Sequence, residues 1–249
     1  MDNSSDRIQN RLVVVTGASR GLGLAIAGAL ARQGWAIAGA ARSCSKAFQQ
    51  LIDQSGGSVS FRQLDLGDHR SLHSFSTSLI ADLGVPYALI NNASIAYSGI
   101  LGTQHESEIE SMISVNVTGT IILTKYLSRS MLKCQRGRIV NVSSIVAESG
   151  SSGTSVYAAT KAAMNGFTRS LARELGRCNI TVNAIAPGYM QTDMSSGISD
   201  AQLYKIARRS SLKRLTNVDE VAAAVCYLLS DCAGATTGTV LTVDAGATA

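Results

Sequence analysis

Seven short apolar runs alternate with helical stretches along this chain, and that alternation restricts its fold more than any other feature. The runs are "RLVVVTG", "WAIAGAAR", "VSFRQLDL", "YALINNA", "RIVNVSS", "ITVNAIAP" and "TVLTVDAG". They are close to continuously apolar, as strands buried on both faces are. Helical patterns separate most of them. Leu22, Ile26 and Leu30 follow the first run at helical spacing, and Gly34 stops that helix. Further helices are expected near 68–83, 104–133, 155–176 and 217–230. The pattern predicts an α/β fold: a doubly wound parallel sheet of about seven strands with helices on both faces.

The 249 residues carry no composition break, so one domain over 1–249 is expected. Within it, residues 1–10 ("MDNSSDRIQN") read as a loose polar leader without the apolar core of a signal peptide. Residues 189–212 are polar and Ser-rich and are expected to form a substrate lid. No apolar run reaches the roughly 18 residues of a membrane span, so no membrane is expected. Five scattered cysteines, none in a CxxC, suit reduced thiols and a cytoplasmic setting. A net charge of +5 favours acidic ligands such as phosphates, but no basic run with interleaved aromatics points to nucleic acid. His69 and His73 are four apart but have no HExxH companion; an exposed helix face is expected there, and no metal.

"TGASRGLG" follows the first strand and brings Gly17, Gly21 and Gly23 to a strand–helix junction. Glycines let the backbone turn sharply and approach a pyrophosphate, while a helix N-terminus offers amides and partial positive charge. Dinucleotide binding is the reading preferred over an ordinary βα turn. A site for NAD usually ends its second strand in a carboxylate. Here that strand ends "GAARS", with Arg42 in place of an acid and Arg20 as a second cation, which suits a 2′-phosphate and hence NADP(H). Asp65 either accepts from the adenine amino group or belongs to a helix N-cap region.

Tyr157 and Lys161 stand one helical turn apart in "SVYAATKAA". Alone, the pair suits either a solvated contact or a proton donor with the ammonium that tunes it. Order along the chain discriminates: TGxxxGxG, "NNA" at 91–93, Asn116 in "SVNVTG", "NVSS", "YAATK" and "APGYMQTDM". Together they resemble the short-chain dehydrogenase/reductase family from about residue 11 onward, and with it a Rossmann-type sheet. Within that family "GRIVNVSSIVA", "SLAREL", "ITVNAIAPG" and "LKRLTNVDEVA" are most similar to the 3-oxoacyl-[acyl-carrier-protein] reductases.

The resemblance implies a catalytic tetrad of Asn116, Ser144, Tyr157 and Lys161. Ser144 is implied over Ser143 because it precedes Tyr157 by thirteen residues, the gap usual in the family it resembles. Tyr157 would protonate the carbonyl oxygen, and Lys161 would lower its pKa from about 10. Ser144 would hold that oxygen, and Asn116 would anchor a water leading to Lys161. Cofactor contacts are implied at Gly17, Ser19, Arg20, Gly21, Leu22, Arg42, Asp65, Leu66, Asn92, Ala93, Ser94, Pro187, Gly188, Met190 and Thr192, besides Tyr157 and Lys161.

The activity so implied is NADPH-dependent reduction of a 3-oxoacyl group, on an acyl carrier protein or as a thioester, in fatty acid biosynthesis. A reductase or dehydrogenase of another small alcohol, ketone or sugar stays open, as does a cofactor sensor without turnover, which would not need the tetrad. A homotetramer is implied, with Ala158, Ala159, Ala162 and Ala163 letting the tyrosine helix pack closely. An acidic carrier would meet Lys133, Arg136, Arg138, Arg169, Arg173 and Arg177. Two departures stand out: Ser94 where the family usually has Gly after NNA, and Ala245 in "VDAGATA" where VDGG is commoner.

Overall fold

A computed structural model describes residues 11–191 and 200–249. Seven strands form one all-parallel sheet: β1 Leu12–Thr16, β2 Ala36–Ala41, β3 Val59–Gln63, β4 Ala88–Asn91, β5 Gly137–Val142, β6 Ile180–Pro187 and β7 Val240–Val243. They lie in the order β3-β2-β1-β4-β5-β6-β7. The order reverses beside β1, which opens a crevice at the carboxyl ends of β1 and β4.

Alternate residues of β1 serve opposite faces. Val13 and Val15 pack with α1 (Gly21–Arg32), α2 (Lys46–Gln54) and α9 (Val218–Leu229). Leu12 and Val14 pack with α3 (Leu72–Leu83), α5 (Thr120–Cys134) and α7 (Ser155–Leu175). This period of two inside a continuously apolar strand is what a two-sided core requires. Ile26 and Leu30 of α1 are fully buried, so truncating either to Ala should cost about 2–5 kcal/mol. Helix α9 opens on a capping box, with Asn217 and Glu220 bonding reciprocally to backbone amides.

Four elements fall outside the sequence-based expectation or refine it. Helix α2 joins β2 to β3, capped by Ser45, whose Oγ accepts from Phe48 N at 3.0 Å. The stretch near 104–133 is α4 (Glu106–Ile113), a π-helical segment (Ser114–Gly119) and then α5. A short α6 (Val146–Ser149) precedes α7. Within the expected lid, α8 spans Asp200–Arg209, while 192–199 lie outside the described residues, as does the leader 1–10. All five cysteines are free, and no described helix is long and apolar enough to cross a membrane.

Candidate active site

The crevice has two ends, and backbone shapes the first. Gly17 follows β1 with φ +66°, a left-handed conformation that favours glycine. A Cβ on Gly23 would lie 2.2 Å from the Gly17 carbonyl oxygen, so only glycine lets α1 begin there. Asn92 holds the turn: its Nδ2 donates to the carbonyls of Thr16 at 2.9 Å and Gly17 at 3.3 Å. Its amide therefore shapes the cradle from behind. The start of α1 has no side-chain cap and no acid in its first turn. Those orphan amides, beside a turn cleared of side chains, fit the pyrophosphate of a dinucleotide.

Around this turn, Ser19 accepts through its carbonyl from the Ser45 hydroxyl, and Leu22 is buried in α1. Arg20 and Arg42 are both exposed, and Arg42 directly follows β2. Past β3, exposed Asp65 accepts from Gly67 N at 2.8 Å, so one of its oxygens shapes its own loop rather than capping a helix. Leu66 is buried in the core, leaving its backbone as the group it can offer. His69 corrects the expectation of an exposed helix face. It precedes α3, is half-buried, and its Nε2 lies 3.1 Å from the Ser114 carbonyl oxygen. His73 is exposed and stacks edge-on against Tyr126. Among the described residues no cluster of His, Cys, Asp or Glu is able to hold a metal.

Side chains shape the second end. Asn116 sits buried in the π-helical segment, a distortion frequent at functional sites. Its Oδ1 accepts from Ile95 N at 2.8 Å, and its Nδ2 donates to Ile95 O at 2.8 Å and Thr160 Oγ1 at 3.2 Å. Thr160 Oγ1 in turn donates to the Tyr157 carbonyl at 2.8 Å. One amide thus ties the loop after β4 to the helical turn bearing Tyr157. The two serines of "NVSS" have different surroundings. Ser143 is buried and donates to Lys161 O at 3.1 Å. Ser144 is half-buried, and its Oγ accepts a long bond of 3.4 Å from Val146 N.

Lys161 departs from the sequence-based expectation. It is buried, and its Nζ donates to Val142 O at 2.7 Å while lying 5.6 Å from the Tyr157 ring centroid. Burial lowers its pKa to about 8. The Tyr157 phenol is not lowered. Desolvation pushes it up to about 12, opposed by the neighbouring Ser94 hydroxyl and reinforced by Tyr189. In this geometry burial dominates, and the Lys161 ammonium is turned to a strand carbonyl instead.

Three more of the residues named as cofactor contacts lie at the end of β6 and just after it. Pro187 ends β6, and its carbonyl accepts from Ile145 N at 3.1 Å. Gly188 N bonds Val243 O at 2.9 Å, and Met190 pairs with Thr216. Thr192 lies outside the described residues. Sequence reading missed two residues. Thr16 donates through Oγ1 to Ile90 O at 3.2 Å and accepts from the amides of Asn92 and Ala93 at 3.0 Å each, stitching β1 to β4. Thr160 lies inside "YAATK", where a hydroxyl among alanines was its only signal.

The family model described as enoyl-(acyl carrier protein) reductase matches residues 17–248. The chain is 37% identical over 238 residues to the 3-oxoacyl-[acyl-carrier-protein] reductase FabG of Escherichia coli K12, covering 96% of this chain and 97% of the relative. The FabG proteins of Pseudomonas aeruginosa and Chlamydia trachomatis are each 36% identical, covering 96% and 97% of this chain and 98% and 99% of theirs. A solved structure titled short chain dehydrogenase/reductase family protein superposes with a TM-score of 0.87 at 32% identity, covering 96% of this chain and 97% of its own. With the uncapped glycine turn and the Asn116–Thr160–Tyr157 tie in one crevice, these matches make the chain a member of the short-chain dehydrogenase/reductase family, whose chemistry uses a nicotinamide cofactor.

Proposed function

We propose that this protein reduces a 3-oxoacyl group, carried on an acyl carrier protein or as a thioester, to the 3-hydroxyacyl product with NADPH. The observation that carries the reading is a desolvated phenol, Tyr157, one turn from a buried ammonium, Lys161, at the crevice that the glycine turn opens. Full-length similarity to enzymes named for that reaction supports it. When bound, the nicotinamide supplies the hydride. Tyr157 delivers the proton to the carbonyl oxygen as the alcohol forms. Ser144, whose hydroxyl proton has no acceptor among the described residues, donates to the same oxygen. Asn116 keeps the Tyr157 turn in register with the β4 loop.

Preference for NADPH rests on Arg42 and Arg20 and on the missing acid at the end of β2. Free thiols support a reducing, cytoplasmic setting. Ala159, Ala162, Ala163 and Gly166 lie exposed along α7, a stripe of small residues that suits a helix of a second subunit in a homotetramer. Lys133, Arg136, Arg169, Arg173 and Arg177 are exposed and suit an acidic carrier. Arg138 leaves that patch: it is buried, with its guanidinium 5.6 Å from the Tyr87 ring centroid.

The test follows NADPH absorbance with acetoacetyl and crotonyl thioesters, a carrier-bound 3-oxoacyl chain and a panel of free ketones. Turnover of the 3-oxo substrates, with little for crotonyl thioester, is the expected result. Turnover of a free ketone alone would move the assignment to another small-molecule reductase.

A further inference from the structure

Ser45 stands between the two segments that carry the cations of the adenosine end. Arg20 follows Ser19 in the glycine turn, and Arg42 follows β2, three residues before Ser45. The half-buried Ser45 hydroxyl donates to the Ser19 carbonyl, and its oxygen accepts from Phe48 N at 3.0 Å. One hydroxyl thus uses its donor toward the glycine turn and its acceptor toward α2. The α2 side of this tie is firmly seated. The Phe48 ring is fully buried, lies 6.2 Å from the Phe61 ring, and fills the space over Gly39, where a Cβ would stand 2.1 Å from Phe48 Cζ. The first turn of α2 therefore rests on β2, and Ser45 passes that position to the carbonyl next to Arg20. The pyrophosphate cradle is held from other sides. Asn92 Nδ2 donates to the Thr16 and Gly17 carbonyls at 2.9 and 3.3 Å, and Gly17 N donates to Ala40 O at 2.7 Å.

We infer that Ser45 is a positioning residue for cofactor choice: through the Ser19 carbonyl and the α2 cap it fixes the spacing of Arg20 and Arg42, so that both guanidinium groups meet one 2′-phosphate. The inference rests on the proposal that these two arginines hold that phosphate. A guanidinium binds phosphate through a planar fork of donors, so its contribution depends on where its backbone stands. Without the Ser45 tie the two segments must be ordered when the phosphate arrives, and that ordering weakens binding. NADH has no 2′-phosphate and meets the cradle alone, which Asn92 and Gly17 N continue to hold. A residue that served only as a helix cap would act on both cofactors alike.

The experiment is fluorescence titration of the protein with NADPH and with NADH, alongside kcat and KM with an acetoacetyl thioester. Ser45→Ala should raise Kd for NADPH by about three- to tenfold, as the loss of one hydrogen bond does, and leave Kd for NADH within about twofold. KM for NADPH should follow Kd, while kcat at saturating NADPH stays within about twofold. Ser45→Thr, which keeps the hydroxyl, should restore the wild-type ratio of the two cofactors. In an Arg42→Ala background the loss from Ser45→Ala should shrink, because one guanidinium fewer is left to position. Equal losses for both cofactors overturn the inference, since Ser45 would then act only as a cap. Losses that multiply independently in the double variant overturn it as well. Arg42→Ala separates the two readings: if it keeps the preference for NADPH, the reading of the adenosine end fails and Ser45 with it, whereas a lost preference beside an unshifted Ser45→Ala removes only Ser45.

Discussion

At the Gly17–Gly23 turn the shape is fixed by missing atoms, whereas at the Tyr157 turn it is fixed by side chains that reach one another. A Cβ on Gly23 would meet the Gly17 carbonyl oxygen at 2.2 Å, so the cradle exists because nothing fills it. At the Tyr157 end Asn116 Nδ2 donates to Thr160 Oγ1, which donates to the Tyr157 carbonyl, and each is a separate side chain that could be absent. Backbone-built sites fail when atoms are added and side-chain-built sites fail when atoms are removed. The difference also tells which end tolerates variation. Ser94 adds a side chain at the chemistry end, where hydrogen-bonding side chains already form the site.

The comparison breaks first at Tyr157. Tyr157→Phe removes one hydroxyl and leaves the glycine turn untouched. Turnover should fall by about 10²–10⁴-fold while cofactor affinity, followed by fluorescence titration, stays within a few-fold. Joint loss of both would mean that the two ends are not separable.

Lys161 sharpens the comparison because its burial carries a pH signature. Its pKa is about 8 in the folded protein against an ordinary 10.5. Between those values the unfolded chain binds the proton more tightly, so this group makes stability rise with pH from about 8 to 10.5. Below pH 8 the full cost of the buried charge is present, about 3 kcal/mol. Tyr157 acts oppositely and later: with its pKa raised to about 12, the folded state keeps a proton that the unfolded chain loses above pH 10. Lys161→Met removes only the first effect. The stability difference between this variant and the wild type, from urea unfolding, should change by about 3 kcal/mol from pH 7 to 10.5. A constant difference would show that the ammonium is hydrated.

The glycine turn, the seven strands and the Tyr157–Lys161 pair are legible in the sequence because each is a local pattern. Apolar runs, Gly spacing and an i, i+4 pair need no knowledge of what packs against them. What escaped depends on distant partners. Lys161 could not be assigned to Val142 O without the packing of α7 on the end of β5. The sequence names Asn92 only as a cofactor contact and gives no sign that its amide holds the Thr16 and Gly17 carbonyls, 76 and 75 residues away. Helix α2 was missed because nine residues with Phe48, Leu51 and Ile52 make a short periodic signal. Arg138 read as surface charge, yet strand β5 buries it beside Tyr87.

Arg42 tests the adenosine side of the backbone-built end, where exposed charge rather than sterics is proposed to set the choice of cofactor. A phosphate held by Arg gains charge-assisted hydrogen bonds worth about 1.5–3 kcal/mol, or roughly tenfold to over a hundredfold. Arg42→Asp should lower kcat/KM for NADPH by that factor and turn the preference toward NADH. Equal losses with both cofactors would move recognition of the 2′-phosphate elsewhere.

The smallest effect lies at the C-terminal strap, where the rule of missing atoms is broken in this chain. Ala245 and Gly246 both adopt left-handed conformations, at φ +55° and +74°. Their carbonyls accept from Leu212 N and Ser211 N at 3.0 Å each, which ties the tail to the segment after α8. A Cβ on Gly246 would lie 2.6 Å from the Ser211 Cβ, so that glycine is required on two counts. Ala245 carries a Cβ in a conformation that costs an L-residue roughly 1–2 kcal/mol. Glycine would relieve that strain but lose more backbone entropy on folding, roughly 0.5–1 kcal/mol. Ala245→Gly should therefore stabilise the protein by about 0.5–1 kcal/mol, read as a higher urea midpoint at unchanged slope. Gly246→Ala should do the reverse and by more, about 1–3 kcal/mol, because strain and overlap act together. A lower midpoint for Ala245→Gly would show that the strap gains more from a restricted unfolded chain than it loses to strain.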